Sequence, residues 1–188
     1  MLCKMHYTRR KAMKYLTIAI LLGIGTITAG ADDVFSSKKF VGIELGATSL
    51  QGDIGGILSV PNNTVDSVEY GLRVGAQNET WRTTLALDFF DKDEQNTEKF
   101  LGAFDYFFNR DPDTPSGTIE PYFGLNVGYV NYESTGIDES GLLYGGQIGA
   151  VLNMFDEVDI DLSYRYSLSS VDSFDHSGSV MVGLNYFY

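Results

Sequence analysis

The sequence predicts an all-β fold: an eight-stranded antiparallel up-and-down transmembrane β-barrel. Three observations lead there. Period-two alternation of apolar and small or polar residues runs through the chain after residue 38, where helical periodicity is hard to find. The first 31 residues have the build of an export signal. The chain closes on "MVGLNYFY" (181–188), an alternating stretch that stops on three aromatics where soluble domains usually fray into a polar tail.

The export segment comes first. Lys4, Arg9, Arg10, Lys11 and Lys14 precede the apolar run Tyr15–Ile27, and Ala29-Gly30-Ala31 follows it. A basic start, a short apolar core and an A-x-A site make a secretory signal peptide over 1–31. Thirteen apolar residues are too few for a spanning helix, which needs about 20. Met13 offers a second start, because "MKYLTIAILL" is a complete signal opening by itself. Cleavage after Ala31 leaves a chain of 157 residues, 32–188, the right size for one barrel domain. Its 8 basic residues face 25 acidic ones, a net charge of −17, which makes nucleic acid an unsuitable partner. The single cysteine, Cys3, leaves with the signal, so no disulfide is expected.

Eight strands then follow in order. The first, near 39–50, sets Val41, Ile43, Leu45 and Ala47 against Gly42, Glu44, Gly46 and Thr48. The second, near 67–77, sets Val68, Tyr70, Leu72 and Val74 against Glu69, Gly71, Arg73 and Gly75. The third, near 80–90, opposes Trp81, Thr83, Leu85, Leu87 and Phe89 to Arg82, Thr84, Ala86 and Asp88. The fourth, near 98–108, is less regular, with Phe100, Phe104, Tyr106 and Phe108 against Lys99, Ala103 and Asp105. Phe123, Leu125, Val127 and Tyr129 define the fifth (118–131), and Tyr144, Ile148, Ala150 and Leu152 the sixth (142–154). The seventh (157–168) sets Val158, Ile160, Leu162, Tyr164 and Tyr166 against Asp159, Asp161, Ser163 and Arg165. In the last, Val180, Val182, Leu184, Tyr186 and Tyr188 share the apolar face.

The connections carry turn chemistry: "DIGGILSVPNNTVD", "DKDEQNTE", "NRDPDTPSG", "NYESTGIDESG" and "SSVDSFDHS". With an even strand number and both termini in the periplasm, 51–66, 91–97, 132–141 and 169–177 fall outside. The segments 77–80, 109–117 and 154–157 become periplasmic turns.

Alternation alone would also suit a soluble barrel with its apolar face inward. The polar face decides the matter. It is dominated by Gly, Ser, Thr, Asn and Ala instead of the long Lys and Glu side chains that water-facing sheets carry. Interior glycines weaken a strand unless something must approach closely, as in the crowded lumen of eight strands. The apolar face has aliphatics in mid-strand and aromatics at strand ends (Trp81 and Phe89, Tyr164 and Tyr166, Tyr186 and Tyr188), the arrangement of a lipid-facing band between girdles.

"FVGIELG" (40–46), "PYFGLNVGY" (121–129) and the aromatic terminal strand resemble the small outer-membrane barrels of the OmpA/OmpX and opacity-protein type, over essentially the whole mature chain. The resemblance implies a place in the outer membrane of a Gram-negative bacterium. It also makes Tyr186 and Tyr188 an assembly signal read by the barrel-insertion machinery. No OmpA-type peptidoglycan-binding domain is expected after Tyr188.

Candidate chemistry sits on the inward face. Glu44, Glu69, Asp88, Asp105, Asp159 and Asp161 meet Arg73, Arg82, Lys99 and Arg165 in a narrow, poorly hydrated lumen, so they are expected to pair. Arg73 and Arg82 are expected to be held by Glu44, Glu69 or Asp88. The pairing reads as a structural plug, with an ion path as the alternative. His176 with Ser177 or Ser179 and Asp172 or Asp175 has the residue types of a triad, and lipid A deacylases are small outer-membrane barrels that use Ser and His. The motif around those residues in the deacylases is absent here. Tyr129, Tyr132 and Phe123 read as interface anchors and Tyr122 as the one ring left over from a sugar-stacking platform. Asp91, Asp93 and Glu94 lack the Gly and distal Glu of a calcium loop and read as a solvated acidic loop. No metal, cofactor or catalytic site is expected.

The sequence thus reads as a monomeric outer-membrane barrel with a plugged lumen and acidic loops. Its role is structural or interactive, with lipid, lipopolysaccharide and a host or envelope surface as partners. A narrow solute or ion channel is the alternative, and a lipid-modifying enzyme comes third.

Overall fold

The computed structural model describes residues 37–52, 63–92, 95–108, 117–134, 137–171 and 174–188. The predicted signal peptide lies outside these residues. Lys38–Tyr188 forms one compact unit. Its strands are β1 (Lys38–Gly52), β2 (Asn63–Gln77), β3 (Trp81–Lys92), β4 (Gln95–Phe107), β5 (Ile119–Ser134), β6 (Ile137–Phe155), β7 (Val158–Val171) and β8 (Phe174–Phe187). Each pairs antiparallel with the next, and β1 pairs with β8 to close the barrel, leaving no free edge.

Closure has a measurable stagger. The register followed from Val41 passes through Val74, Leu85, Gly102, Val127, Tyr144, Leu168 and His176 and returns to β1 at Gln51, ten residues on. For eight strands about 4.8 Å apart, that stagger tilts them about 40° from the axis and sets the backbone about 8 Å from it. Side chains of ordinary length can therefore meet across the lumen.

Alternation translates directly into inside and outside. Along β7 the odd-numbered residues from Asp159 to Ser167 are buried while Leu162, Tyr164 and Tyr166 are exposed. The outward set is mainly apolar: Ile43, Leu72, Leu125, Ile148 and Leu184 are all exposed. At the end carrying the termini, Trp81 stacks on Phe104 at 4.6 Å, and Tyr106, Phe108 and Phe123 continue the aromatic run. At the other end Tyr70 stacks on Phe89, and the Tyr129 hydroxyl donates to Ser140 Oγ at 2.6 Å. Two aromatic belts thus bound an aliphatic band, the surface expected of a lipid-facing barrel.

Two expectations need correction. The segments 51–66, 91–97, 132–141 and 169–177 do not begin as loops. The strands continue through them to the pairs Gly52↔Asn63, Lys92↔Gln95, Ser134↔Ile137 and Val171↔Phe174. Beyond the lipid band the outward face meets water, so Asp, Asn and Ser there mark a wet strand as well as a turn. Tyr132 is no interface anchor either: it is fully buried inside the barrel with Leu50, Phe90, Val130 and Leu143. It follows Tyr122 in the inward parity of β5, whereas Phe123 and Tyr129 take the outward one as expected.

At the terminal end short turns join β2 to β3 and β6 to β7. Between β2 and β3 the Asn78 side-chain oxygen accepts from the backbone N–H groups of Thr80 and Trp81 at 2.9 and 2.7 Å. Before β5, Gly117 adopts φ 93°, a conformation glycine reaches without a Cβ penalty, and its N–H donates to the Asn153 carbonyl.

Candidate functional site: the barrel lumen

Each strand delivers its inward parity to the lumen, and three layers result. The layer at the far end from the termini is apolar, formed around Leu50, Phe90, Val130, Tyr132 and Leu143. The floor at the terminal end is aromatic: Phe40 meets Phe187 at 5.5 Å, and Phe107 meets Tyr122 at 5.6 Å beside Val151. Between them lie the charges. The sequence suggests the middle layer but not its apolar lids.

Six ion pairs link seven side chains into one alternating chain: Asp105–Arg82–Asp161–Arg73–Glu44–Arg165–Asp88. The Arg82 guanidinium lies 2.9 Å from Asp105 and 2.7 Å from Asp161, and Arg73 lies 2.9 Å from Asp161 and 3.2 Å from Glu44. Arg165 reaches Glu44 at 3.2 Å and Asp88 at 2.7 Å. All seven side chains are almost fully buried. A separate pair joins Lys99 to Glu69 at 3.0 Å, and Glu69 also accepts from the hydroxyls of Thr48 and Ser179. The expected partners therefore hold for Arg73 with Glu44. Arg82 instead takes Asp105 and Asp161, Glu69 takes Lys99, and Asp88 takes Arg165. Asp159 joins none of the four cations by an ion pair; it accepts from the Asn185 amide at 2.6 Å.

Placement on the strands explains these partners. In an eight-stranded barrel β3 and β7 face each other across the axis. Arg82 with Asp161, and Asp88 with Arg165, both run from β3 to β7. The lumen is thus cross-braced twice along its length. Glycines make the space. Glu44 sits opposite Gly71 and Gly183 on the flanking strands, Asp88 opposite Gly71, Asp105 opposite Gly124 and Asp161 opposite Gly183. A Cβ at Gly124 would lie 2.0 Å from Asp105 Oδ1, and one at Gly183 2.5 Å from an Arg73 nitrogen.

Neutral groups finish the hydrogen bonding. The Gln147 amide donates to Asp105 at 2.6 Å, while its oxygen accepts from Arg165 Nε at 3.3 Å, so Gln147 ties the chain's first acid to its last cation. The Tyr122 hydroxyl donates to Asp161 at 2.8 Å, and its ring carries the Arg82 guanidinium 4.4 Å from the centroid. Tyr122 is therefore a lumen residue spent on Asp161 and Arg82, unavailable for stacking on a sugar. Sequence reasoning missed Gln147, whose one signal was an amide at an inward position flanked by glycines.

The remaining candidates separate. His176 shares the outward parity and packs its ring 5.4 Å from Tyr166, whereas Ser177 and Ser179 point inward and are buried. Histidine and serines are on opposite faces of β8 and cannot form a triad; Asp172 lies outside the described residues. So do Asp93 and Glu94, and the side chain of Asp91 is not described. Among the described residues no group of three or more His, Cys, Asp or Glu side chains could hold a metal ion. Tyr186 and Tyr188 both face outward at the terminal end, with Phe187 turned inward onto Phe40.

No protein-family model matches the chain, and no curated protein matches it. Solved structures do. Neisserial surface protein A is similar over 82% of this chain and 100% of its own, with a TM-score of 0.57 at 14% identity. Outer membrane protein H (OprH) of Pseudomonas aeruginosa, solved in DHPC micelles, is similar over 80% and 99%, with a TM-score of 0.54 at 20% identity. The N-terminal β-barrel domain of OprF from the same organism covers 80% of this chain and 100% of its own, with a TM-score of 0.50 at 13% identity. At such identities the likeness is one of fold, and it agrees with the closed eight-strand topology, the lipid-type exterior and the polar interior. In fold, the chain is a closed eight-stranded antiparallel β-barrel, similar to the barrels of these small outer-membrane proteins.

Proposed function

We propose that this chain serves in the outer membrane as a closed scaffold that presents an acidic rim to the cell exterior, in a structural or surface-interaction role, with residues 1–31 removed on export. The observation that carries this reading is the double β3–β7 cross-brace, lidded by apolar side chains at one end and aromatic ones at the other. A conducting path along the axis would have to break buried ion pairs at two levels. The working surface is then the rim. Its segments 51–66, 91–97, 132–141 and 169–177 carry ten acidic residues against Lys92. A rim of that sign suits a cationic partner, or lipopolysaccharide phosphates bridged through divalent cations, more than direct phosphate binding. The separation of His176 from Ser177 and Ser179 supports a non-enzymatic role.

Planar-bilayer recording tests this. The purified barrel is expected to give no resolved single-channel steps, and Arg73→Ala none either. Steps with defined ion selectivity, altered by Arg73→Ala, would establish the narrow channel instead.

Orientation has its own test. With both termini in the periplasm, a cysteine placed at Ser140 near the rim labels with a membrane-impermeant reagent on intact cells, and one at Asp156 in the β6–β7 turn does not. The reverse pattern would invert the barrel.

A further inference from the structure

The ion-pair chain has a surplus acid. Asp105, Asp161, Glu44 and Asp88 alternate with only Arg82, Arg73 and Arg165, so the chain begins and ends on a carboxylate. At the first end Asp105 receives the Gln147 amide in addition to Arg82. At the other end Asp88 receives a hydrogen bond from Arg165 at 2.7 Å, and its Oδ1 meets no protein donor although it is buried.

What lies beside Asp88 is another carboxyl group. Glu44 on β1 and Asp88 on β3 occupy the same rung of the ladder, separated only by Gly71 on β2. Gly71 has no side chain to keep them apart; a Cβ there would fall 2.1 Å from Asp88 Oδ1. One guanidinium holds both carboxyl groups side by side over Gly71: Arg165 Nη1 donates to Asp88 Oδ2 at 2.7 Å and Nη2 to Glu44 Oε1 at 3.2 Å. Two ionised carboxylates have only acceptors and cannot bond to each other. A pair this close and this dry keeps one charge, as two acids sharing a site do.

We propose that Glu44 and Asp88 form a proton-binding site, a carboxylic acid–carboxylate pair that holds one proton at neutral pH. The proton comes from water as the barrel closes and makes the chain three cations against three anions. Around the pair, β7 contributes Arg165, β2 contributes Arg73 and Glu69, and β4 contributes Lys99. Lys99 is engaged by Glu69, and Arg73 by Asp161 as well as Glu44, so neither supplies Asp88 with a second cation. The inward neighbours from β5, β6 and β8 are Asn126, Gln147, Ser179 and Met181, none of which carries a charge.

The pair has a spectroscopic and a thermodynamic signature. Infrared spectra of the folded wild-type barrel at pH 7 are expected to show the carbonyl stretch of a protonated carboxylic acid, shifted in D2O and lost in Asp88→Asn. Because the folded state carries one proton more than the unfolded chain, stability falls as pH rises from the ordinary carboxylate range, about 4, to the pH at which the pair ionises. Within that window the folding constant drops about tenfold per pH unit relative to Asp88→Asn, whose amide stands in for the protonated acid. Asp88→Asn leaves three cations and three anions and is expected to fold, as heat-modifiable gel mobility reports. Absence of the band from the wild type, its survival in folded Asp88→Asn, or parallel stability curves for the two proteins would overturn the proposal.

Discussion

Arg82→Ala is expected to cost the barrel about 3–5 kcal/mol, the range seen when one side of a buried pair is removed. Arg82 is only 1% exposed and serves both Asp105 and Asp161. Without it Asp105 keeps just the Gln147 amide, and the Tyr122 and Phe107 rings lose the guanidinium between them. With a urea slope of about 1–3 kcal/mol/M, the unfolding midpoint should move down by about 1 M or more. Arg73→Ala should cost less, although both arginines bridge two acids. After its loss Asp161 still has Arg82 and Glu44 still has Arg165. Equally lowered midpoints for the two variants would mean that the remaining partners do not set the cost, and an Arg82→Ala midpoint at the wild-type value would mean that the network does not brace the barrel.

Leu125→Arg is expected to cost about 2–4 kcal/mol in lipid, the penalty for a cation at the midplane of an outer-membrane barrel. Leu125 lies on β5 about midway between the two aromatic belts and is 71% exposed, with nothing but lipid to cover it. Ile119 shares the outward parity at the terminal end of the same strand and is 66% exposed. Ile119→Lys should cost no more than about 1 kcal/mol, since the penalty fades toward the interface. Folding into liposomes at increasing urea measures both. The contrast matters more than either value. Similar costs at the two positions would place the lipid band elsewhere on the barrel, and negligible costs at both would argue against a lipid-facing exterior.

Much of this molecule was legible in its sequence. Strand number, strand order and the identity of the two faces follow from alternation, because on a strand each residue's environment is set by its own parity. Val41 and Glu44, or Leu162 and Asp161, declare their sides without reference to any distant residue. The inward placement of all ten charged candidates was legible for the same reason. What was not legible depends on where one strand stands relative to another. The strand ends were misplaced because an exposed Asp or Ser suits a turn and a wet strand extension equally. Tyr132 was misassigned because an aromatic at a strand end suits a lipid interface outside or an apolar lid inside, and parity had to outrank residue type. The partners of Arg82 were out of reach for a further reason. Asp161 is 79 residues away in sequence and on the opposite wall, and the two meet only because a ten-residue stagger brings those rungs of β3 and β7 to a common height. Gly71 is an unremarkable strand glycine until register sets it between Glu44 and Asp88. The sequence by itself determined which side chains enter the lumen, since that is a local property of each strand. Only the closed barrel decided which of them touch, because register and stagger are collective properties fixed when all eight strands satisfy their backbone hydrogen bonds at once.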